Sequence, residues 1–166
     1  GRLMATAFDV VLRYPDSTVQ QVHDMLADPG FREQVCAFQG DLRHLVRIER
    51  AGERLEVEVE RVQSSNGVPS VAKSFVGDEI TFVQREDWSS LTKANVWIDI
   101  PGKPGRASGT ATLTQVRDAV EQHIQMSVKV SVPLVGRSIE TMVAELIQHA
   151  LRAENHVGEK WLAQSR

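Results

Sequence analysis

The sequence predicts an α+β fold: a seven-stranded, curved antiparallel sheet wrapped around a long C-terminal helix, with two short helices after the first strand. Two observations carry this expectation. From Leu134 to about Ala163 the chain reads as one helix, because Ile139, Met142, Val143, Leu146, Ala150, Ala153, Val157 and Trp161 share one arc of roughly 100–140°. Arg137, Thr141, Glu145, Gln148, Arg152, Asn155 and Glu159 fall opposite. At about 1.5 Å per residue such a rod is roughly 40–45 Å long. Second, most of what precedes it alternates with period two. A rod with one apolar stripe must bury that stripe, and the sequence offers it a sheet.

The elements follow in order. Thr6 to Tyr14 places Phe8, Val10 and Leu12 on one face and stops at Tyr14-Pro15-Asp16. Ser17 is then read as the cap of a short helix containing Val19, Val22, Met25 and Leu26. Asp28-Pro29-Gly30 breaks it, and Phe31 to Phe38 reads as a second helix with Phe31, Val35 and Phe38 inward. Leu42, His44, Val46 and Ile48 share a face of the next strand, Ala51-Gly52-Glu53 turns, and Leu55, Val57 and Val59 alternate with Glu56, Glu58 and Glu60. Ser64 to Gly77 reads as a loop with one helical turn. Strands resume at 79–88, 92–100, 106–116 and 120–132, each junction carrying a turn signal. A curved sheet on one rod closes poorly at both ends, so a cavity between them is expected.

Composition narrows the class. The 166 residues suit one domain, which buries about two-thirds of the surface of its unfolded chain. A hydrophobic content of 42% and a charged content of 25% are those of an ordinary globular protein. A net charge of −3 argues against a nucleic-acid partner. No apolar run approaches the length of a membrane span, so no stable membrane insertion is expected. Cys36, the single cysteine, can form no internal disulfide, which suits a reducing cytoplasm. Gly1-Arg2-Leu3 precede Met4 and read as a cloning remnant, with no signal peptide, so the domain is expected over 4–166.

The order of elements resembles the START-like, or SRPBCC, helix-grip superfamily, over nearly the whole chain. More closely, it resembles an uncharacterised actinobacterial family within that superfamily. The residues that carry the likeness are Ala5-Thr6-Ala7-Phe8-Asp9-Val10, the Tyr14-Pro15 stop, and Val132-Pro133-Leu134-Val135-Gly136-Arg137-Ser138-Ile139-Glu140 entering the long helix. All of these are scaffold features. The resemblance implies a fold that binds lipids, sterols, hormones or polyketide intermediates, or cyclises aromatic polyketides, and does not choose among them.

Candidate ligand contacts are the residues read as facing the cavity: His44, Val46, Val57, Phe82, Gln84, Glu86, Ala111, Gln122, Met126, Met142, Leu146, Ala150 and Glu154. Glu154 lies inside the apolar arc of the long helix, between Ala150 and Val157. Two readings stand: a desolvated carboxylate in the cavity, or a side chain at the arc's edge reaching water near the helix end. His44 is either a cavity hydrogen-bonding group or a satisfied core residue. Gln84 and Glu86 continue the face of Ile80 and Phe82, whereas Trp97 is expected outward. Met25, Met126 and Met142 suit an adaptable pocket or plain core filling. His149 and His156 lie two turns apart, about 10 Å, too far to share one metal ion. No metal, cofactor, phosphate-loop or nucleophile-elbow pattern is expected. Val68 to Val76 falls where a loop over the cavity mouth would sit.

The leading expectation is therefore a non-catalytic protein that holds a small hydrophobic or amphipathic, lipid- or polyketide-like ligand. The alternatives are a cyclase- or aromatase-like enzyme using Glu154, Glu86 or His44, and a protein-interaction module with a filled core. Catalytic residues are not assigned, and a homodimer is left open.

Overall fold

The computed structural model describes residues 5–165, so Met4, the expected cloning remnant before it and Arg166 lie outside the described residues. The element order is β1 (Thr6–Tyr14), α1 (Val19–Leu26), α2 (Pro29–Phe38), β2 (Arg43–Ala51), β3 (Arg54–Ser64), α3 (Ser70–Val76), β4 (Glu79–Trp88), β5 (Lys93–Asp99), β6 (Gly105–Val116), β7 (Ala119–Val130) and α4 (Gly136–Gln164). The strands form one curved sheet in the order β1-β7-β6-β5-β4-β3-β2, every neighbour antiparallel. Consecutive strands from β2 to β7 are neighbours, with α3 in the β3–β4 connection, and β1 lies beside β7, with Thr6 opposite Val128 and Tyr14 opposite Val120. The expected helix-grip architecture is the one observed. No described helix is long and apolar enough to cross a membrane.

The alternation sorts the sheet into a buried and a solvated face. Leu55, Val57 and Val59 of β3, Ala94, Val96 and Ile98 of β5, and Val120, Ile124, Met126, Val128 and Val130 of β7 are core residues. On the other face charges form a row across five strands: Arg47 to Glu58, Glu58 to Arg85, Arg85 to Asp99, and Asp99 to Arg106, at 2.8–3.2 Å. Each such exposed pair contributes about 0–1 kcal/mol. The row's main effect is to keep this face wet.

Local details depart from expectation in instructive ways. Helix α1 is capped by Thr18 rather than Ser17. The Thr18 hydroxyl accepts from the Gln21 amide, and the Gln21 side chain accepts from the Thr18 amide, a reciprocal capping box. The Ser17 hydroxyl instead donates to the Pro15 carbonyl. In α2, Phe38 points outward, 57% exposed, and rests on the His156 ring. The position that turns inward instead is Arg32. Leu42 is likewise exposed, just before the β2 edge strand.

Helix α4, 29 residues long, buries an arc rotated from the expected one. Its buried line runs through Ile139, Glu140, Val143, Ala144, Ile147, Leu151, Glu154, Val157, Gly158 and Leu162. Met142, Leu146, Ala150, Ala153 and Trp161 lie on the flank, half-buried. Two contacts set that rotation. Glu140, fully buried, accepts from the Val130 amide at 2.8 Å and from the Thr6 hydroxyl at 2.9 Å, tying the helix to the ends of β1 and β7. Near the other end, Gly158 sits against Tyr14: a Cβ there would lie 2.7 Å from the ring and 3.1 Å from the Met25 methyl. In the sheet, a Cβ on Gly109 would run into the backbone carbonyl of Gln125.

These approaches make the two glycines structural. Gly158→Ala is expected to destabilise by about 1–3 kcal/mol, since the Tyr14 ring is sealed in the core and cannot step aside. Gly109→Ala should cost more, because its obstacle is backbone. Urea denaturation of both variants against the parent checks the order.

Candidate functional site

A cavity opens between the sheet and α4, walled by β3 to β7 on one side and by α2 and α4 on the other. The space open to the centre of a water-sized sphere is about 70 Å³. That is several times the roughly 10–15 Å³ one water needs on this measure, with the walls about 1.4 Å further out. Its apolar lining comes from Phe82, Val96, Ile98, Ile124 and Met126 on the strands and Leu146, Ile147 and Leu151 on α4. Ala111 and Ala150 leave the room that larger side chains would fill. The half-exposed members of the lining, among them Gln39, Gln63, Phe82 and Leu146, mark where the cavity meets solvent.

Its two lining carboxylates, Glu86 and Glu154, are held from behind by Arg32, which is not itself part of the lining. The guanidinium donates to both oxygens of Glu86 at 2.8 Å, to Glu154 Oε1 at 3.2 Å and, through Nε, to the Leu26 carbonyl at 2.8 Å. Glu86 also accepts from Trp88 Nε1 at 2.9 Å and Gln84 Nε2 at 2.6 Å. Strand alternation brings Gln84, Glu86 and Trp88 to one face, so the carboxylate, the amide and the indole meet without backbone distortion. Arg32, Glu86 and Glu154 are all buried.

Two carboxylates thus share one guanidinium out of water, and their proton affinities separate. Burial pushes Glu86 up, but the paired Arg32 charge and the Arg32, Trp88 and Gln84 hydrogen bonds outweigh it and hold its carboxyl below the usual range. Glu154 has only one longer contact to Arg32; burial, and repulsion from Glu86, raise it to about 7. Tyr14, buried within the field of Glu154, is held well above the ordinary phenol range, chiefly by burial.

A second ion pair flanks the mouth. Arg61 donates to Asp41 at 2.7 and 2.8 Å and to Gln39 Oε1 at 2.7 Å, and Gln63 donates to Asp41 at 2.9 Å. Gln39 Nε2 reaches the Ala150 carbonyl at 3.4 Å, so one amide spans from α2 to α4. Ligand atoms of Cys36, Asp41 and His44 lie within 4.8 Å of one another. Burial pushes the Cys36 thiol up to about 12, so it stays protonated, and Asp41 is already engaged by Arg61 and Gln63.

Most of the expected contacts converge here: Phe82, Gln84, Glu86, Ala111, Gln122, Met126, Leu146, Ala150 and Glu154 all line the cavity. Four do not. His44 is exposed on the edge strand beside Cys36 and Asp41; Val57 packs in the core and Val46 and Met142 against it, and none of the three is among the lining residues. None of residues 68–76 lines the cavity either, although Phe75 packs against the core. Glu154 takes the buried of its two readings. Arg32 gives no local signal in the sequence, because it is buried only by virtue of carboxylates distant along the chain; Arg61 does give one, since it continues the inward face of Leu55, Val57 and Val59 on β3.

The model of the family described as "Protein of unknown function (DUF2505)" matches residues 9–162, and the chain belongs to that family. No curated protein matches it. Among solved structures, it is similar to TTHA0849 from Thermus thermophilus, at 11% identity and a TM-score of 0.67, over 96% of this chain and 99% of that one. It is similar to the di-domain ARO/CYC StfQ from the steffimycin biosynthetic pathway, at 9% identity and a TM-score of 0.67, over 98% of this chain and 52% of that one. A START superfamily protein from Mycobacterium smegmatis matches at 10% identity and a TM-score of 0.58, over 96% and 99%. At these identities the likeness is one of fold.

Two measurements check the ion cluster. Arg32→Met should cost about 3–5 kcal/mol, because it leaves Glu86 buried without its cation. Glu154 binds its proton more tightly folded than unfolded, so the stability it contributes is full below about pH 4.5 and lost as the pH rises to about 7. Chemical denaturation from pH 4.5 to 8 should show that decline, on the order of 3 kcal/mol, and Glu154→Gln should flatten it.

Proposed function

We propose that this protein binds a compact, largely apolar molecule in the cavity between the sheet and α4. The observation that carries the reading is the cavity itself: side chains from five strands and two helices enclose it, mostly apolar, with polar groups from β3, β4, β7, α4 and the end of α2 set among them. This is the composition of a small-molecule site. The START-like fold of the solved neighbours supports it. The size of the cavity suits a molecule of one or two rings. A core packed flush, as an interaction module would have, is not what the side chains make.

A second reading rests on Glu154 and Glu86. An acid held near neutrality beside an ionised one is the arrangement that general acid–base chemistry uses. In this reading Glu154 delivers a proton to a carbonyl oxygen of a polyketide-like ketone, in the manner of a cyclase. The similarity in fold to the di-domain ARO/CYC StfQ, a protein of the steffimycin biosynthetic pathway, supports this reading.

Titration with the neutral two-ring dye 6-propionyl-2-(dimethylamino)naphthalene tests the binding reading. The expected result is saturable, one-to-one binding that Ala150→Phe abolishes while the far-UV spectrum stays unchanged. No saturable binding, together with no small molecule released from protein purified from its own host, would remove the reading. Turnover of a bound ketone that Glu154→Gln stops, without weakening dye binding, would promote the second one.

A further inference from the structure

Resting on that binding reading, we infer that the cavity selects an uncharged ligand carrying a hydroxyl group, an alcohol or phenol, which it seats against Gln122 and Glu154, and that it rejects carboxylates. Three observations meet here.

Gln122 projects from β7 into the cavity at 3% exposure, and no group among the described residues bonds its Oε1. Its partners across the sheet, Leu12 on β1 and Leu113 on β6, and its same-face neighbours Val120 and Ile124 have no side-chain donor to offer. A buried carbonyl oxygen with no partner favours a ligand that brings a donor. A hydroxyl, which donates and accepts, also meets the amide if its other end turns to the ligand.

Across the same cavity Glu154 presents the other half of the arrangement. One of its oxygens faces Arg32 at 3.2 Å, and the side chain is otherwise part of the lining. Protonated it donates, ionised it accepts, and a hydroxyl complements both forms. Gln84, by contrast, is only partly buried and has one amide N–H on Glu86 at 2.6 Å.

The cations at the cavity are already matched. Arg32 is held by Glu86, Glu154 and the Leu26 carbonyl, and Arg61 by Asp41 and Gln39. A carboxylate entering the cavity would meet Glu86 and Glu154 with no unmatched positive charge among the described lining residues, and would lose its water on the way in. Binding of a fatty-acid headgroup or another organic anion is therefore disfavoured by charge, whatever the fit of its apolar part.

Three probes of one shape separate these terms: 2-naphthol, 2-methylnaphthalene and 2-naphthoate, titrated at pH 8 by calorimetry or dye displacement. The expected result is that 2-naphthol binds at least about tenfold more tightly than 2-methylnaphthalene, with 2-naphthoate not detectably bound. Gln122→Leu should erase most of the naphthol preference and leave methylnaphthalene binding in place. Equal affinity for naphthol and methylnaphthalene, or naphthoate binding best, would overturn the ligand class while leaving the binding reading intact. Failure of all three, and of the neutral dye, would overturn the binding reading and this inference with it. The wild-type comparison stands even if the variant does not fold.

Discussion

A guanidinium sealed from water has to find its counter-charges inside the protein, and Arg32 finds them on two elements far apart in sequence. Glu86 comes from β4 and Glu154 from α4, while the Leu26 carbonyl fixes Nε from the last turn of α1. The cluster therefore specifies where α2 docks, which way β4 faces and how α4 is rotated. Hydrophobic burial holds the sheet and helix together, but it is tolerant of sliding. A bidentate pair is not, because a small displacement leaves charge buried and unmatched. Glu140 serves the same end at the entrance to α4, where a buried carboxylate bonds the Val130 amide and the Thr6 hydroxyl.

The same ion cluster explains which parts of the structure are legible in the sequence. Strands β3, β5 and β7 are plain because their buried and solvated positions alternate, and the long helix is plain because no proline or glycine break interrupts its pattern before Gly158. The rotation of α4 is not. An arc drawn from apolar residues alone passes through Ala150 and Ala153, whereas the buried line passes through Glu140, Leu151, Glu154 and Gly158. Glu140, Glu154 and Gly158 turn inward because of partners in β1, β7, α1 and α2, and no periodicity records a partner. In α2, Arg32 turns inward and Phe38 outward for the same reason: the carboxylate of Glu86 waits on one side and only His156 on the other. Gln122 and Glu86 can be read as inward from strand parity alone, and they are.

Room for a ligand arises from where small residues fall. Gly109 lets β6 lie tightly against β7, and Ala111, two residues on, faces the cavity with no bulk to fill it. Gly158 brings α4 down on Tyr14, while Ala150, about two turns earlier, stands off the sheet at the cavity. The helix is thus pinned at both ends, by Glu140 and Gly158, and relieved in the middle. A rod held this way can leave a void beneath it without collapsing onto the sheet, since closing the gap would bend the helix or break an end contact.

The void and the charge cluster are not independent. With Glu154 protonated, the five ionisable groups Arg32, Glu86, Glu154, Arg61 and Asp41 sum to zero. With Glu154 ionised the sum is −1, held where water is scarce. The protein therefore meets neutral pH with a carboxyl near its midpoint, as a direct consequence of supplying two acids to one base. A ligand that donates a hydrogen bond to Glu154 favours the ionised form, and one that accepts favours the protonated form, so occupancy and protonation are linked through a single side chain. That linkage requires no moving part. It follows from the place Glu154 holds on α4, between the cavity and a guanidinium whose other side is already taken.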